Sequence, residues 1–220
     1  MAKESGQKGW TEYEFELTGV TELFMDKPTK ALLEVLRDKT KKKPPKTDWT
    51  PEQEAATKIY RADGDGSEIV IPRKWAFGAF CNGAKSVKVP GTKRNLNGAA
   101  GNVLPSYIRL TAPYFSLILP QTGVNNEGWE VDQRKGNQGK KDAKVAVCIT
   151  QPRFDTWTVK GKMLVNLDET TVEVVLEVLK KAGNMAGFGP QRPGLGGTGC
   201  SGMFEVTKFE KAVQSQAEAA

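Results

Sequence analysis

Between residues 187 and 202 the chain runs Gly-Phe-Gly-Pro-Gln-Arg-Pro-Gly-Leu-Gly-Gly-Thr-Gly-Cys-Ser-Gly, seven glycines and two prolines around a single cation, Arg192. Helix and strand both disfavour that composition, so a loop is forced here. Ordering so many glycines is costly, and close approach of the backbone to another group is the physical reason to keep them. The flanks frame the loop. Before it, Val172, Val175, Leu176 and Leu179 recur at amphipathic-helix spacing, with Asp168 as the expected N-cap and Gly183 as the expected C-cap. After it, Phe204 and Val206 mark a short strand over Met203–Phe209. Backbone N–H groups and one guanidinium suit phosphodiester oxygens; a mobile surface connector is the competing interpretation.

The rest of the chain supplies a sheet for this unit. Glu12–Leu17 alternates strictly and puts Tyr13, Phe15 and Leu17 on one face, with the strand continuing towards Val20 and Phe24. A short helix is predicted over 29–37, and a second from the Thr50-Pro51 start to about Tyr60. Asp63–Gly66 is a tight turn but no EF-hand, because position twelve is Lys74. A strand at 69–71 leads to a helix from Pro72 that carries Trp75, Ala79 and Phe80 inward. Strand pieces follow within 107–119 and at 145–150, and a second alternating run aligns Trp157, Val159, Met163 and Val165. The core order is βαββαβ, an α+β fold with a ferredoxin-like or RRM-like sheet and helices on one face. It forms one domain over 1–220, with insertions at about 37–68, 82–103 and 121–144 and a frayed or disordered tail at 212–220.

The chain carries 32 basic and 26 acidic residues, net +6 with a pI near 9.1. The basic residues cluster in three loops, Arg37–Lys46, Lys85–Arg94 and Arg134–Lys144, whereas acids gather at Glu12, Glu14, Glu16, Glu173 and Glu177. Such segregation steers polyanions. No apolar run reaches membrane-spanning length, and the first residues lack a signal-peptide core, so a soluble cytoplasmic protein is expected.

Histidine is absent altogether, which removes Ser-His-Asp and Cys-His catalysis and imidazole zinc sites. Cys81, Cys148 and Cys200 are far apart, so reduced thiols are expected and no metal or other cofactor. Gly194–Gly199 has the letters of a dinucleotide fingerprint in the wrong context, since a helix precedes it and a strand follows.

The helix, the Gly-x-Gly-x-x-Arg-Pro run, the further glycines and the aromatic strand together resemble the RAMP superfamily of CRISPR-associated RNA-binding proteins. Gly187, Gly189, Gln191, Arg192, Gly194, Gly196, Gly197 and Gly199 lie in the stretch that carries the resemblance, which covers residues 145–210 well and the first strand and Pro72 helix by order alone. It implies a glycine loop lying against RNA. It also implies a backbone subunit that polymerises along a guide RNA, with an extended hairpin thumb that inserts between bases and splays them. The insertions 82–103 and 121–144 are the finger and thumb candidates.

Lys85, Lys88, Lys93 and Arg94 would then contact RNA from the finger. Trp129, Arg134, Lys135, Lys140 and Lys141 would stack or hold phosphate from the thumb. Arg153 with Phe154 closes the thumb, and Arg73 and Lys74 open a helix whose N–H groups suit phosphate.

Some members of the family also cut paired RNA with an aspartate near the first strand, where Asp26 stands without a supporting motif. No catalytic residue is expected. The implied partners are a small guide RNA, a complementary DNA or RNA target, further copies of the chain and a separate nuclease. The implied setting is the prokaryotic cytoplasm, in antiviral defence or on a phage or mobile element. Two other functions stay open: a metal-independent endoribonuclease that processes precursor RNA, and a phage single-stranded-DNA-binding protein.

Overall fold

The computed structural model describes residues 9–38, 48–62, 68–138, 145–193 and 199–213. In chain order its elements are β1 (Trp10–Gly19), β2 (Leu23–Phe24), α1 (Lys30–Arg37), α2 (Pro51–Ala56), β3 (Val70–Pro72) and α3 (Arg73–Gly83). There follow β4 (Asn97–Gly98), β5 (Gly101–Asn102), α4 (Leu104–Tyr107), β6 (Ile108–Arg109), β7 (Tyr114–Ile118) and β8 (Glu130–Gln138). The last four are β9 (Val145–Phe154), β10 (Thr158–Asn166), α5 (Val172–Met185) and β11 (Phe204–Lys211).

The two alternating runs predicted from the sequence pair with each other. β1 and β10 are antiparallel, with Phe15 opposite Gly161 and Tyr13 opposite Met163. Tyr13, Phe15, Leu17, Trp157, Val159, Met163 and Val165 are all buried on one face. Gly161 makes room on that face, because a Cβ there would lie 2.4 Å from the Phe115 ring and 2.5 Å from that of Phe15. β11 flanks β1 and β7 flanks β10, giving the spatial order β11-β1-β10-β7-β3. Helices α3 and α5 cover the apolar face: the Phe80 ring meets Phe15 edge-on, and Gly83 brings the end of α3 against the α5 backbone at Val178 and Ala182. The architecture is α+β, and β11, β1, β10 and β7 take the fourth, first, third and second places of the βαββαβ order.

One feature departs from that simple order. β3 is an added edge strand, antiparallel to β7, and α3 starts immediately after it, where the Arg73 N–H bonds Pro113 O beside the start of β7. The chain then returns through 84–107 to the same end of the sheet, where Ile108 pairs with Val165 of β10. Helix α3 is therefore the outward half of an excursion rather than a complete crossover.

Several expected boundaries move. The N-cap of α5 is Thr171 rather than Asp168, and Gly183 lies inside the helix rather than capping it; the C-cap is Ala186. α2 ends at Ala56, well short of Tyr60, although the expected Thr50 cap is present as a full capping box with Gln53. The most consequential change concerns the 121–144 insertion. Its second half is strand β8, which pairs with β9 along its whole length, from Glu130–Arg153 out to Gln138–Val145. The described part of the basic loop read from 134–144 thus lies in one arm of a long antiparallel hairpin, the shape that the family resemblance implies for a thumb. The tight turn at 63–66, most of the basic stretch 37–46, and Gln214 to Ala220 of the tail lie outside the described residues.

Candidate nucleic-acid interface

Residues 20–25 form a spine at the end of the sheet where β1 finishes. On one side, the end of the glycine stretch and the residue after it are stitched to this spine. Val20 N–H bonds Met203 O at 2.8 Å, Gly202 N–H bonds Glu22 O at 2.7 Å, and Ser201 Oγ meets Glu22 Oε1 at 2.8 Å. On the other side β2 pairs with the base of the hairpin, Leu23 opposite Phe154 and Phe24 opposite Arg153.

The described glycines show what they approach, and it is protein. Gly187, Gly189 and Gly202 have φ of +62°, +81° and +72°, which other residues adopt only with strain. Added Cβ atoms would lie 2.7 Å from Gly202 O, 2.5 Å from Phe24 O and 2.0 Å from Phe188 O respectively. Gly199 meets Gln191 O in the same way. Gly187 and Gly189 are buried, with Phe188 between them stacked on Phe204, so their expected place against RNA is corrected: their close approach serves the fold. Gly194, Gly196 and Gly197 lie outside the described residues.

Arg134 joins the hairpin to this loop. From β8 its guanidinium lies over the Phe24 ring, 4.8 Å from the centroid, and donates to Gln191 Oε1 and to Gln151 Oε1. Gln191 Nε2 in turn donates to Gln151 Oε1 at 3.2 Å, and Asp132 stands 3.5 Å from the guanidinium. Both terminal nitrogens of Arg134 are thereby committed to protein, so it holds the hairpin in place rather than standing ready for phosphate. Arg192, next to Gln191, makes one hydrogen bond among the described residues, from its guanidinium to Gly189 O at 2.7 Å. An arginine carries five N–H donors, and most of that fork has no partner among the described residues.

The other expected contacts separate by environment. Trp129 and Phe154 are 1% and 0% exposed, which removes them as stacking surfaces; the Trp129 indole N–H donates to Glu127 Oε2 at 2.9 Å. Arg153 is clamped by Asp155 at 2.8 Å. Arg73 and Lys74 are exposed but start α3 at the far end of the sheet, an eleven-residue helix of about 16 Å from its end near α5. The Arg73 guanidinium donates to Leu110 O at 3.4 Å. Lys85, Lys88, Lys93, Arg94 and Lys135 are exposed and form no ion pair among the described residues. Strand alternation puts Lys135 on the hairpin face opposite Arg134, with Gln133 and Cys148. Lys140 and Lys141 lie outside the described residues.

The 84–103 finger reaches the same end of the molecule as the loop. Ser86 Oγ lies 3.5 Å from Met185 Sδ at the end of α5, Val87 and Leu96 are buried beneath, and Asn95 Nδ2 holds Lys85 O at 2.7 Å. The finger's four cations are therefore displayed on an anchored turn. The open face of the sheet differs. There Lys160 meets Glu16 at 3.1 Å, Lys162 meets Glu12 at 3.1 Å, and Lys208 sits between Glu14 and Glu210. The hydrogen bond to Glu12 and its charge hold the Lys162 ammonium above the ordinary lysine range. That face has spent its lysines on its own carboxylates.

Two features escaped the sequence. Gln151 joins the Arg134 junction from a position that reads only as a polar residue before Pro152. Arg61 clamps Glu127 through both carboxylate oxygens, at 2.8 and 3.0 Å, just ahead of Trp129 and β8. Burial works against the Glu127 carboxylate, but the Arg61 and Trp129 hydrogen bonds outweigh it and lower its pKa. Residues 66 apart in sequence leave no local signal of such a pair. Among the described residues no group of three or more Cys, Asp or Glu side chains is placed to hold a metal ion, and no helix is long and apolar enough to cross a membrane.

No family model matches the chain, and no curated protein matches it. The cryo-EM structure of the Type III-B Cmr-beta bound to cognate target RNA contains a chain similar to this one, at 12% identity and a TM-score of 0.48. The match covers 93% of the present chain and 62% of the other, so this chain spans less than two thirds of that relative's length. A likeness of that size carries no functional inference.

Proposed function

We propose that this chain is a guide-RNA-binding backbone protein whose copies line up along a small RNA, leaving sequence recognition to base pairing with a complementary strand. The observation that supports this most is the Arg134 junction. It ties an extended hairpin to the loop after α5, with Arg192 beside the seam and most of its donors without a partner among the described residues. At the same end of the molecule the finger offers Lys85, Lys88, Lys93 and Arg94. Cations beside the anchored residues 187–192 suit a polyanionic strand that is held by its backbone. The paired carboxylates of the sheet face disfavour the alternative route across the sheet. None of these groups is assigned a catalytic role, and any cutting of the paired strand is left to a separate nuclease.

Arg192→Ala tests the proposal at its centre. Affinity for single-stranded RNA should fall, and the slope of log K against log salt should shrink by about 0.7, the loss of one phosphate contact. An unchanged slope would place the RNA elsewhere.

A further inference from the structure

We propose that Trp49 is a stacking platform for one unpaired base; this rests on the chain binding single-stranded RNA. Single-strand binders combine a cationic track with an aromatic surface that accepts any base by its π-face. Burial takes Trp129 and Trp157 out of that role. Trp75 is half-covered against Tyr60, ring centroids 5.1 Å apart, and the Arg109 guanidinium lies 4.1 Å over the Trp10 ring. Trp49 stays 45% exposed, and Tyr114 is the other exposed aromatic among the described residues. Tyr114 pairs with Pro72 at the start of β7, the far end of the sheet from the loop and finger. Trp49 stands on the hairpin side. It precedes the Thr50 cap of α2, and just past the other end of that helix Lys58 Nζ donates to Thr150 O of β9 at 2.5 Å. A six-residue helix spans about 9 Å, so the indole is held within a few nucleotides' reach of the hairpin. The capping box fixes the backbone that carries it, so little entropy is lost when a base stacks. The neighbouring carboxylates Asp48 and Glu52 repel phosphate, which leaves the uncharged face of a base as the group this site takes.

The test uses the full chain, freed of nucleic acid in high salt, with a fluorescein-labelled oligouridylate for affinity and the unlabelled oligomer for indole quenching. Trp49→Ala should weaken binding about 5- to 150-fold, while Trp49→Phe keeps most of the affinity but loses the quench seen in the parent. Circular dichroism matching the parent shows that both variants are folded. Parental affinity in Trp49→Ala, or an undiminished quench in Trp49→Phe, overturns the proposal. If the unaltered chain binds no oligomer, the RNA-binding function itself fails and takes this site with it.

Discussion

Alanine is ordinarily preferred over glycine inside a helix by about 1 kcal/mol, yet position 183, inside α5, holds glycine. A Cβ there would stand 2.0 Å from Phe204 O, so the glycine is what lets α5 lie directly on β11. Gly183→Ala should therefore reverse the usual sign and destabilise the chain by about 1–3 kcal/mol in urea unfolding; a variant as stable as the parent would contradict this packing. The glycines at 187, 189 and 202 teach the same lesson. Their density announces close approach but not the approached group, and here that group is the chain's own carbonyls at Gly202, Phe24 and Phe188. Tryptophans divide similarly. Trp157 was legible as core because Val159, Met163 and Val165 share its alternating face. Trp129 sits among polar residues in the sequence, and its burial follows from its place in the common core cluster, whose other members come from distant segments.

At the level of elements, the hairpin was the least legible part of the fold. Glu130–Gln138 contains one aliphatic residue, Val131, and no two-residue alternation, so nothing local marks it as a strand. It is a strand because β9 supplies a complete ladder of partners. Its base depends on the Arg61–Glu127–Trp129 cluster, and this dependence has a pH signature. The folded-state pKa of Glu127 is lowered, so the cluster contributes stability above the ordinary glutamate pKa and loses it as pH falls through the folded value. Thermal unfolding of the parent and Glu127→Gln should differ most near neutrality and converge as the pH drops below about 4. A gap that is constant across that range would mean that the carboxylate charge is not what secures the hairpin.

For the whole molecule, the order of core elements was legible, because strict alternation in β1 and β10 and helical spacing in α5 each report burial locally. Direction was not. Periodicity cannot say that α3 runs out and residues 84–107 run back, nor that this excursion delivers the finger to the end of the sheet that carries the loop and the hairpin base. The candidate interface exists through that topology, which gathers cations from segments about a hundred residues apart in sequence. The copies are proposed to assemble on a guide, so the most direct measurement is to purify the protein from cells, digest the bound nucleic acid with ribonuclease or deoxyribonuclease, and sequence it. A protein that lines up along a guide should carry a ribonuclease-sensitive, discrete small RNA of repeated sequence that holds several copies together. Bound DNA, or a preparation free of nucleic acid, would contradict it.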